Sequence, residues 1–264
     1  MTSPLAAPIA AVVFDWAGTM VDFGSLAPVA ALRAVFAEAG SPISEAEARR
    51  EMGMAKRDHV AAILTRRGGQ ARDEALIDRL YHRLEQVLPE AAARHAALIP
   101  GALDAVADIR ARGTRIGSTT GYTRAMMAAV ARHAAEQGYA PEALVCAGET
   151  PHGRPSPLML WKVLVELGAW PAGRCVKVDD AAVGVAEGRA AGCWSVGVAG
   201  SGNEMGLSLS DYRALSPTDR DTRLAEAGSA LTRAGADYVI PTVADLPRVL
   251  DAITVRIAAG ERGI

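Results

Sequence analysis

The sequence predicts an α/β protein: a doubly wound, Rossmann-like parallel sheet with helices on both faces, interrupted by an inserted α-helical cap. Short Val/Ile/Ala runs alternate with helical periods over most of the chain, the pattern of strands buried on both faces of a parallel sheet. Residues 25–99 break this alternation with roughly four successive helical segments and no convincing strand. A chain of 264 residues has room for one large core and such an insertion.

Taken in order, "VVFDWAGTMVDFG" (residues 12–24) opens as a buried strand, placed at 9–15, and breaks at once into Asp15, Trp16, Ala17, Gly18 and Thr19. Residues 1–24 and 100–264 are assigned to the core and 25–99 to the cap. Within the cap, "SPISEAEARR" starts a helix with Ser44 and Glu47 spaced as a capping box. Pro100-Gly101 punctuates the return to the sheet pattern. The core continues as helix 101–112, strand 114–119, helix 122–136, strand 143–147, helix 157–168, strand 174–178, helix 182–191 and strand 193–198. Residues 199–235, with "GSGNEMGLS", read as a long loop and helices at the edge, before strand 236–240 and helix 242–258.

Charge and cysteine usage narrow the function. Lys plus Arg total 28 against 30 Asp plus Glu, so a net charge of −2 offers no electrostatic attraction to nucleic acid or an anionic membrane. A small-molecule substrate is the expectation. Cys146, Cys175 and Cys193 are odd in number, widely spaced and set among apolar residues, which predicts reduced core residues rather than a disulfide framework or a zinc site. The N-terminal stretch lacks a basic leader region, and no apolar run approaches the ~18 residues of a membrane span, so a cytoplasmic protein is expected. Only three of the 28 basic residues are lysines, Lys56, Lys162 and Lys177. Each is either an ordinary solvated side chain or a candidate for amine chemistry that a guanidinium cannot do.

Four polar clusters fall at strand or helix ends: Asp15, "STTGY", "HGRPSP" and "VDDAAVG". Singly each has an ordinary explanation, as a helix cap, a strand-end cap or a surface charge. Together they lie at the carboxyl ends of parallel strands, where such sheets bind ligands. In this order (nucleophile loop, Ser/Thr loop, basic residue, acidic pair) the chain resembles the haloacid dehalogenase superfamily over essentially its whole length, including the position of the cap. The resemblance implies that an aspartate attacks phosphorus to form an aspartyl-phosphate with Mg²⁺ as cofactor. Asp15, the backbone carbonyl of Ala17, Asp179 and Asp180 offer the oxygen ligands that Mg²⁺ prefers. Thr119, Thr120, the Gly121 amide and Arg154 are suited to holding the phosphoryl oxygens of an in-line transfer.

Phosphatases of this superfamily usually carry a general acid two residues after the nucleophile, where this chain has Ala17. A leaving group that needs no proton from that place is therefore expected, and carbon qualifies if its electrons have a sink. A protonated imine is such a sink. "REMGMAKRDHVAAIL" supplies Lys56, with His59 three residues on and Met52 four back, all near one face if the segment is helical. An ordinary amphipathic helix has the same spacing. Imine formation requires a neutral amine, so the Lys56 pKa is predicted to lie below the ~10.4 of a free lysine through desolvation.

"FDWAGTMVDFGSLAPV", "MGMAKRDHV", "GSTTGYTRAMM", "HGRPSP" and "EGRAAGCWSVGV" resemble the phosphonatase family, the phosphonoacetaldehyde hydrolases. That resemblance implies Mg²⁺-dependent cleavage of phosphonoacetaldehyde to acetaldehyde and phosphate, in 2-aminoethylphosphonate breakdown, by a homodimer joined through its caps. It makes Asp15 the nucleophile and Lys56 the Schiff-base residue, with His59 assisting and Met52, Gly53 and Tyr122 lining the site. Two departures stand out: some members have an acidic residue four positions after Asp180, where this chain has Gly184, and some have cysteine where it has Ser25. Arg154 stands where many superfamily relatives have lysine, which spares the aldehyde a competing amine. The rival readings are a phosphate-monoester phosphatase or sugar-phosphate mutase of the same superfamily, which Ala17 weakens, and a catalytically silent binding protein, which the intact Asp15 and acidic pair weaken.

Overall fold

A computed structural model describes residues 9–68 and 73–262. The first strand, β1 (Ala11–Phe14), is buried at every residue and leads into four cap helices, α1 (Leu26–Glu38), α2 (Glu45–Arg50), α3 (Lys56–Arg66) and α4 (Glu74–Arg94). The core resumes with α5 (Ala102–Ala111), β2 (Arg115–Thr120), α6 (Arg124–Glu136), β3 (Ala143–Cys146), α7 (Leu158–Leu167), β4 (Cys175–Asp179), α8 (Ala182–Ala190) and β5 (Trp194–Val198). Two edge helices, α9 (Leu209–Ala214) and α10 (Pro217–Arg233), precede β6 (Tyr238–Ile240) and α11 (Leu246–Ala258).

All described strand pairs are parallel, in the order β3-β2-β1-β4-β5-β6. Strand β1 is thus flanked by β2 and β4, and the winding direction reverses beside it. An open parallel sheet leaves its ligand crevice at that switch point, outside the carboxyl ends of the strands. Phe14 is in register with Ser118 of β2 and Val178 of β4, so the residues that follow each strand emerge side by side.

The cap is held by an apolar stripe. Ile77, Leu80, Leu84 and Leu88 recur every three or four residues on α4 and are buried, and α4 packs against α1, α3 and the core helix α6. Ser44 and Glu47 form the predicted capping box at α2. Two crossing segments connect cap and core and bond to each other through an isolated antiparallel bridge, with Ile99 N–H on the Met20 carbonyl at 2.9 Å and Asp22 N–H on that of Ala97 at 3.3 Å. Asp22 also accepts the Leu26 and Ala27 amides at the start of α1, each at 3.0 Å.

The three cysteines are buried and free. No helix among the described residues is long and apolar enough to cross a membrane. The reading of the N-terminal stretch, the two ends of the assigned core and part of the interior of the assigned cap fall on residues 1–8, 263–264 and 69–72, which lie outside the described residues.

Candidate active site

Asp15 follows β1 at the switch point, and its amide is tied to the Val178 carbonyl at 2.9 Å. Its carboxylate Oδ1 accepts from Arg154 Nη1 at 2.7 Å. Burial first, then the Asp179 charge, raises its pKa to about 6, against the opposing pull of Arg154 and Lys177.

Asp15, Asp179 and Asp180 bring carboxylate oxygens within 4.8 Å of one another. Asp180 Oδ2 accepts from Ser25 Oγ at 2.9 Å and Asn203 N at 2.8 Å, yet burial and the charges of Asp15 and Asp179 still push its pKa well up. Buried carboxylates that disfavour one another's ionisation, all offering oxygen, fit a hard divalent cation, which would relieve that repulsion. Asp179 turns partly away from this cluster: Oδ1 accepts the Ala181 amide at 3.1 Å, and Oδ2 pairs with Lys177 Nζ at 2.9 Å. A Cβ at residue 184 would stand 1.9–2.3 Å from the Asp179 carboxylate atoms. Gly184 therefore accompanies the Asp179-Asp180 pair because that carboxylate fills the space a side chain would need.

Arg154 uses its guanidinium in three directions. Nη1 reaches Asp15, Nε reaches Glu187 Oε2 at 3.0 Å, and Nη2 donates to the Thr119 carbonyl at 2.7 Å and its Oγ1 at 2.6 Å. One ammonium cannot serve partners so arranged, which is a geometric reason for arginine here. Thr119 Oγ1 donates to Glu187 at 3.0 Å and accepts from Lys177 Nζ at 2.8 Å. Its hydroxyl thus braces Arg154 from behind and does not face the pocket. Lys177 and Glu187, both buried, complete this layer and pair at 3.3 Å. Sequence reasoning assigned neither a role. The scarcity of lysine flagged Lys177, and Glu187 lay unremarked within "EGRAAGCWSVGV". In the core half of the site four carboxylates, Asp15, Asp179, Asp180 and Glu187, face two cations, Arg154 and Lys177, with Lys56 of the cap as a third; carboxylates outnumber cations, which favours a bound cation.

The cap supplies the amine. Lys56 is 3% exposed, with Nζ 3.9 Å from Met52 Sδ and 5.3 Å from the Tyr122 ring centroid. Burial lowers its pKa to about 8, the Asp15 charge opposing, Arg154 assisting and Asp180 opposing. The direction is the one predicted. One expectation needs correction: Met52, Lys56 and His59 do not share a single helical face. Helix α3 begins at Lys56, and Met52 belongs to the preceding turn, whose Gly53 has φ +92°. The turn, not helical pitch, lays the thioether beside the amine. His59 is fully buried on α3, and neither ring nitrogen has a hydrogen bond of good geometry among the protein atoms described, the Ala48 backbone lying beside the ring. Burial and the neighbouring Lys56 hold its pKa well below the usual range, so the imidazole is neutral.

Cap and core close over one pocket. A Cβ at Gly121 would lie 2.5 Å from the Met54 carbonyl oxygen and 2.7 Å from that of Gly53, so the cap turn rests directly on the core backbone. A Cβ at Gly53 would lie 2.6 Å from Val183, in addition to the strain of its positive φ. The core contributes Asp15, Ala17, Thr120, Gly121, Tyr122 and Asp180 to the pocket, and the cap contributes Met52, Gly53 and Lys56. Trp16, Val21, Pro28 and Met127 add an apolar wall, a lining role that sequence reasoning gave to none of them. His59, Thr119, Arg154 and Asp179 stand outside that lining, Arg154 through its bond to Asp15 and Asp179 at its edge. The enclosed geometry places a buried amine of lowered basicity opposite a buried carboxylate, with no acid at residue 17.

Residues 9–192 match the haloacid dehalogenase-like hydrolase family. The chain is 46% identical over 263 residues to the phosphonoacetaldehyde hydrolase of Paraburkholderia xenovorans (strain LB400), covering 96% of this chain and 98% of the relative. It is 43% identical to that of Hahella chejuensis, covering 96% and 89%. Among solved structures, a phosphonoacetaldehyde hydrolase-like protein from Oleispira antarctica superposes with a TM-score of 0.94 at 40% identity, over 99% of both chains. A β-phosphoglucomutase from Clostridium difficile shares the fold at a TM-score of 0.69 and 15% identity.

Proposed function

Because the chain belongs to the haloacid dehalogenase-like hydrolases, in the phosphonoacetaldehyde hydrolase family, we propose that it hydrolyses the carbon–phosphorus bond of phosphonoacetaldehyde to acetaldehyde and phosphate. The observation that carries this reading is Lys56, buried in the same pocket as Asp15 and with a pKa lowered to about 8. A phosphate-ester hydrolase has no use for such an amine and would need the acid that Ala17 does not supply.

In this mechanism the neutral Lys56 Nζ adds to the aldehyde carbon, and loss of water with uptake of one proton from solvent leaves a protonated imine. An Asp15 oxygen then attacks phosphorus. The electron pair of the breaking carbon–phosphorus bond moves onto the adjacent carbon and is accepted by the imine, giving an enamine and an aspartyl-phosphate. Protonation of the enamine carbon and hydrolysis of the resulting imine release acetaldehyde and restore Lys56, while water cleaves the aspartyl-phosphate to phosphate and Asp15. We assign the proton transfers around Lys56 to His59, whose imidazole is neutral. Arg154, Thr120 and the Gly121 amide hold the phosphoryl oxygens, Thr119 through its grip on Arg154. Asp15, Asp180 and the Ala17 carbonyl, with Asp179 beside them, would hold Mg²⁺, which would supply charge neutralisation at the phosphoryl group.

The setting we propose is cytoplasmic breakdown of 2-aminoethylphosphonate, in a homodimer joined through the caps. The outer face of α1, formed by Ala30, Arg33, Ala34 and Ala37, is exposed and free of bulky apolar groups.

Incubation with phosphonoacetaldehyde and Mg²⁺ is expected to give acetaldehyde and phosphate in equal amounts, with phosphate monoesters turned over far more slowly. Efficient monoester hydrolysis without acetaldehyde would favour the phosphatase reading. The pH dependence is a separate test. Only the unprotonated amine adds to the aldehyde, so below pH 8 borohydride trapping of Lys56 in metal-free protein should rise about tenfold per pH unit and flatten above it. A rise continuing to the ordinary 10.5 of lysine would show that the cap does not lower the basicity of this amine.

A further inference from the structure

Arg49, near the end of α2 and three residues before Met52, reaches out of the cap into the core. Its side chain is only 13% exposed. Nη1 donates to the Gly24 carbonyl at 2.9 Å and to the Asn203 carbonyl and Oδ1, each at 3.4 Å. Nη2 donates to the Gly206 carbonyl at 3.1 Å, and Nε is held by Glu45 at 2.8 Å. Asn203 answers with Nδ2 on the Arg49 carbonyl at 3.1 Å. Gly206 has φ +65°, and a Cβ there would lie 2.8 Å from the guanidinium carbon. A planar, five-donor head thus sits in a cradle of carbonyls that a lysine would fill with a single point charge.

The cradle also helps build the active site. The Asn203 amide donates to Asp180 Oδ2 at 2.8 Å. Ser201 Oγ donates to the Gly18 carbonyl at 2.8 Å, and the Ser201 carbonyl accepts the Gly24 amide at 2.7 Å. On the cap side, α2 leads through the turn at Met52–Met54 to Lys56, so Arg49 and Lys56 are carried against the core by one short stretch of chain. We infer that Arg49 is a positioning residue that couples cap closure to the active centre, its contacts with residues 203–206 both seating Lys56 and holding the Asn203 amide on Asp180. The inference rests on the lysine-imine reading for its first half and on the Asp180 geometry alone for its second.

The test compares wild type, Arg49→Ala, Arg49→Lys and, as a control from the next residue on the exposed side of α2, Arg50→Ala. Two readouts are taken besides turnover: Mg²⁺ affinity by calorimetric titration, and borohydride trapping of Lys56 with phosphonoacetaldehyde followed by mass spectrometry. In Arg49→Ala, Mg²⁺ affinity is expected to fall about tenfold, as when an outer partner of a metal ligand is lost. Imine trapping is expected to fall in parallel, and kcat by about 10²-fold, the effect of a misplacement of order 1 Å. Arg49→Lys should recover little, and Arg50→Ala should match wild type. Wild-type Mg²⁺ affinity and trapping in Arg49→Ala would overturn the inference, and loss of only one would overturn the coupling. If Arg49→Ala does not fold, Asn203→Ala removes the side-chain clasp while retaining the amide, and must shift both readouts the same way. A wild type that traps no imine would sink the proposed reaction and the Lys56 half of the inference, while the Mg²⁺ titration would still decide the Asp180 half.

Discussion

Lys56→Arg is expected to lower release of acetaldehyde and phosphate by at least about 10⁴-fold, the scale of loss when a covalent catalytic group is removed and only positioning and electrostatics remain. The substitution keeps a positive charge near Asp15 and Asp180 and a long side chain over the Tyr122 ring. What it removes is the ability to become a neutral nucleophile, since a guanidinium stays protonated throughout the accessible pH range. Without the imine, electrons from the carbon–phosphorus bond would have to rest on an unstabilised carbanion. Paired assays of both products in wild type and variant check this, with circular dichroism confirming that the variant is folded. Retained acetaldehyde release in Lys56→Arg would remove the imine from the mechanism.

Asp15→Asn is expected to abolish phosphate release to the same degree, at least about 10⁴-fold, while leaving the lysine chemistry intact. Asparagine preserves the shape of the side chain and an oxygen for the 2.7 Å bond from Arg154. It loses the nucleophilic carboxylate and one charge from the cluster with Asp179 and Asp180. Asp15 is the largest charge favouring protonation of Lys56, so its neutralisation shifts that amine further toward the neutral form. Imine trapping below pH 8 should therefore persist or increase as product formation stops. Loss of trapping along with turnover would show that the carboxylate is needed for imine formation itself, and the two steps would then not be separable as proposed.

Much of the fold was legible in the sequence because its signals are local. Each predicted strand end falls within about two residues of the observed one, since the strands read as short β-prone runs, mostly apolar though β2 is RIGSTT, set between helical periods. The capping box at Ser44 and Glu47 was legible for the same reason: both partners lie within one helical turn. The convergence of Asp15, Thr120, Asp180 and Lys56 on one pocket followed from strand ends meeting at a switch point and from the cap's place after the first strand.

What escaped sequence reasoning was contact between distant segments. Nothing near Thr119 shows that its hydroxyl turns to Glu187, or that Lys177 and Glu187 brace Arg154 from behind. These are interactions across 33 to 68 residues of chain between fully buried groups, and their partners exist only once β2, β4 and α8 are packed. Met52 was assigned to the right neighbour by the wrong geometry, because helical spacing and a glycine turn bring residues four apart to similar places. Gly184 read as a missing acid until the Asp179 carboxylate was seen in the space its side chain would occupy. By itself, then, the sequence determined the class of sheet and the run of helices inserted after the first strand, and it picked out Asp15, Lys56 and the Asp179-Asp180 pair as candidates, because periodicity and motif order are written along the chain. Tertiary structure alone decided which polar groups face the pocket and which support them, and how Arg49 joins cap to core, because burial and hydrogen-bond geometry depend on what lies across the fold.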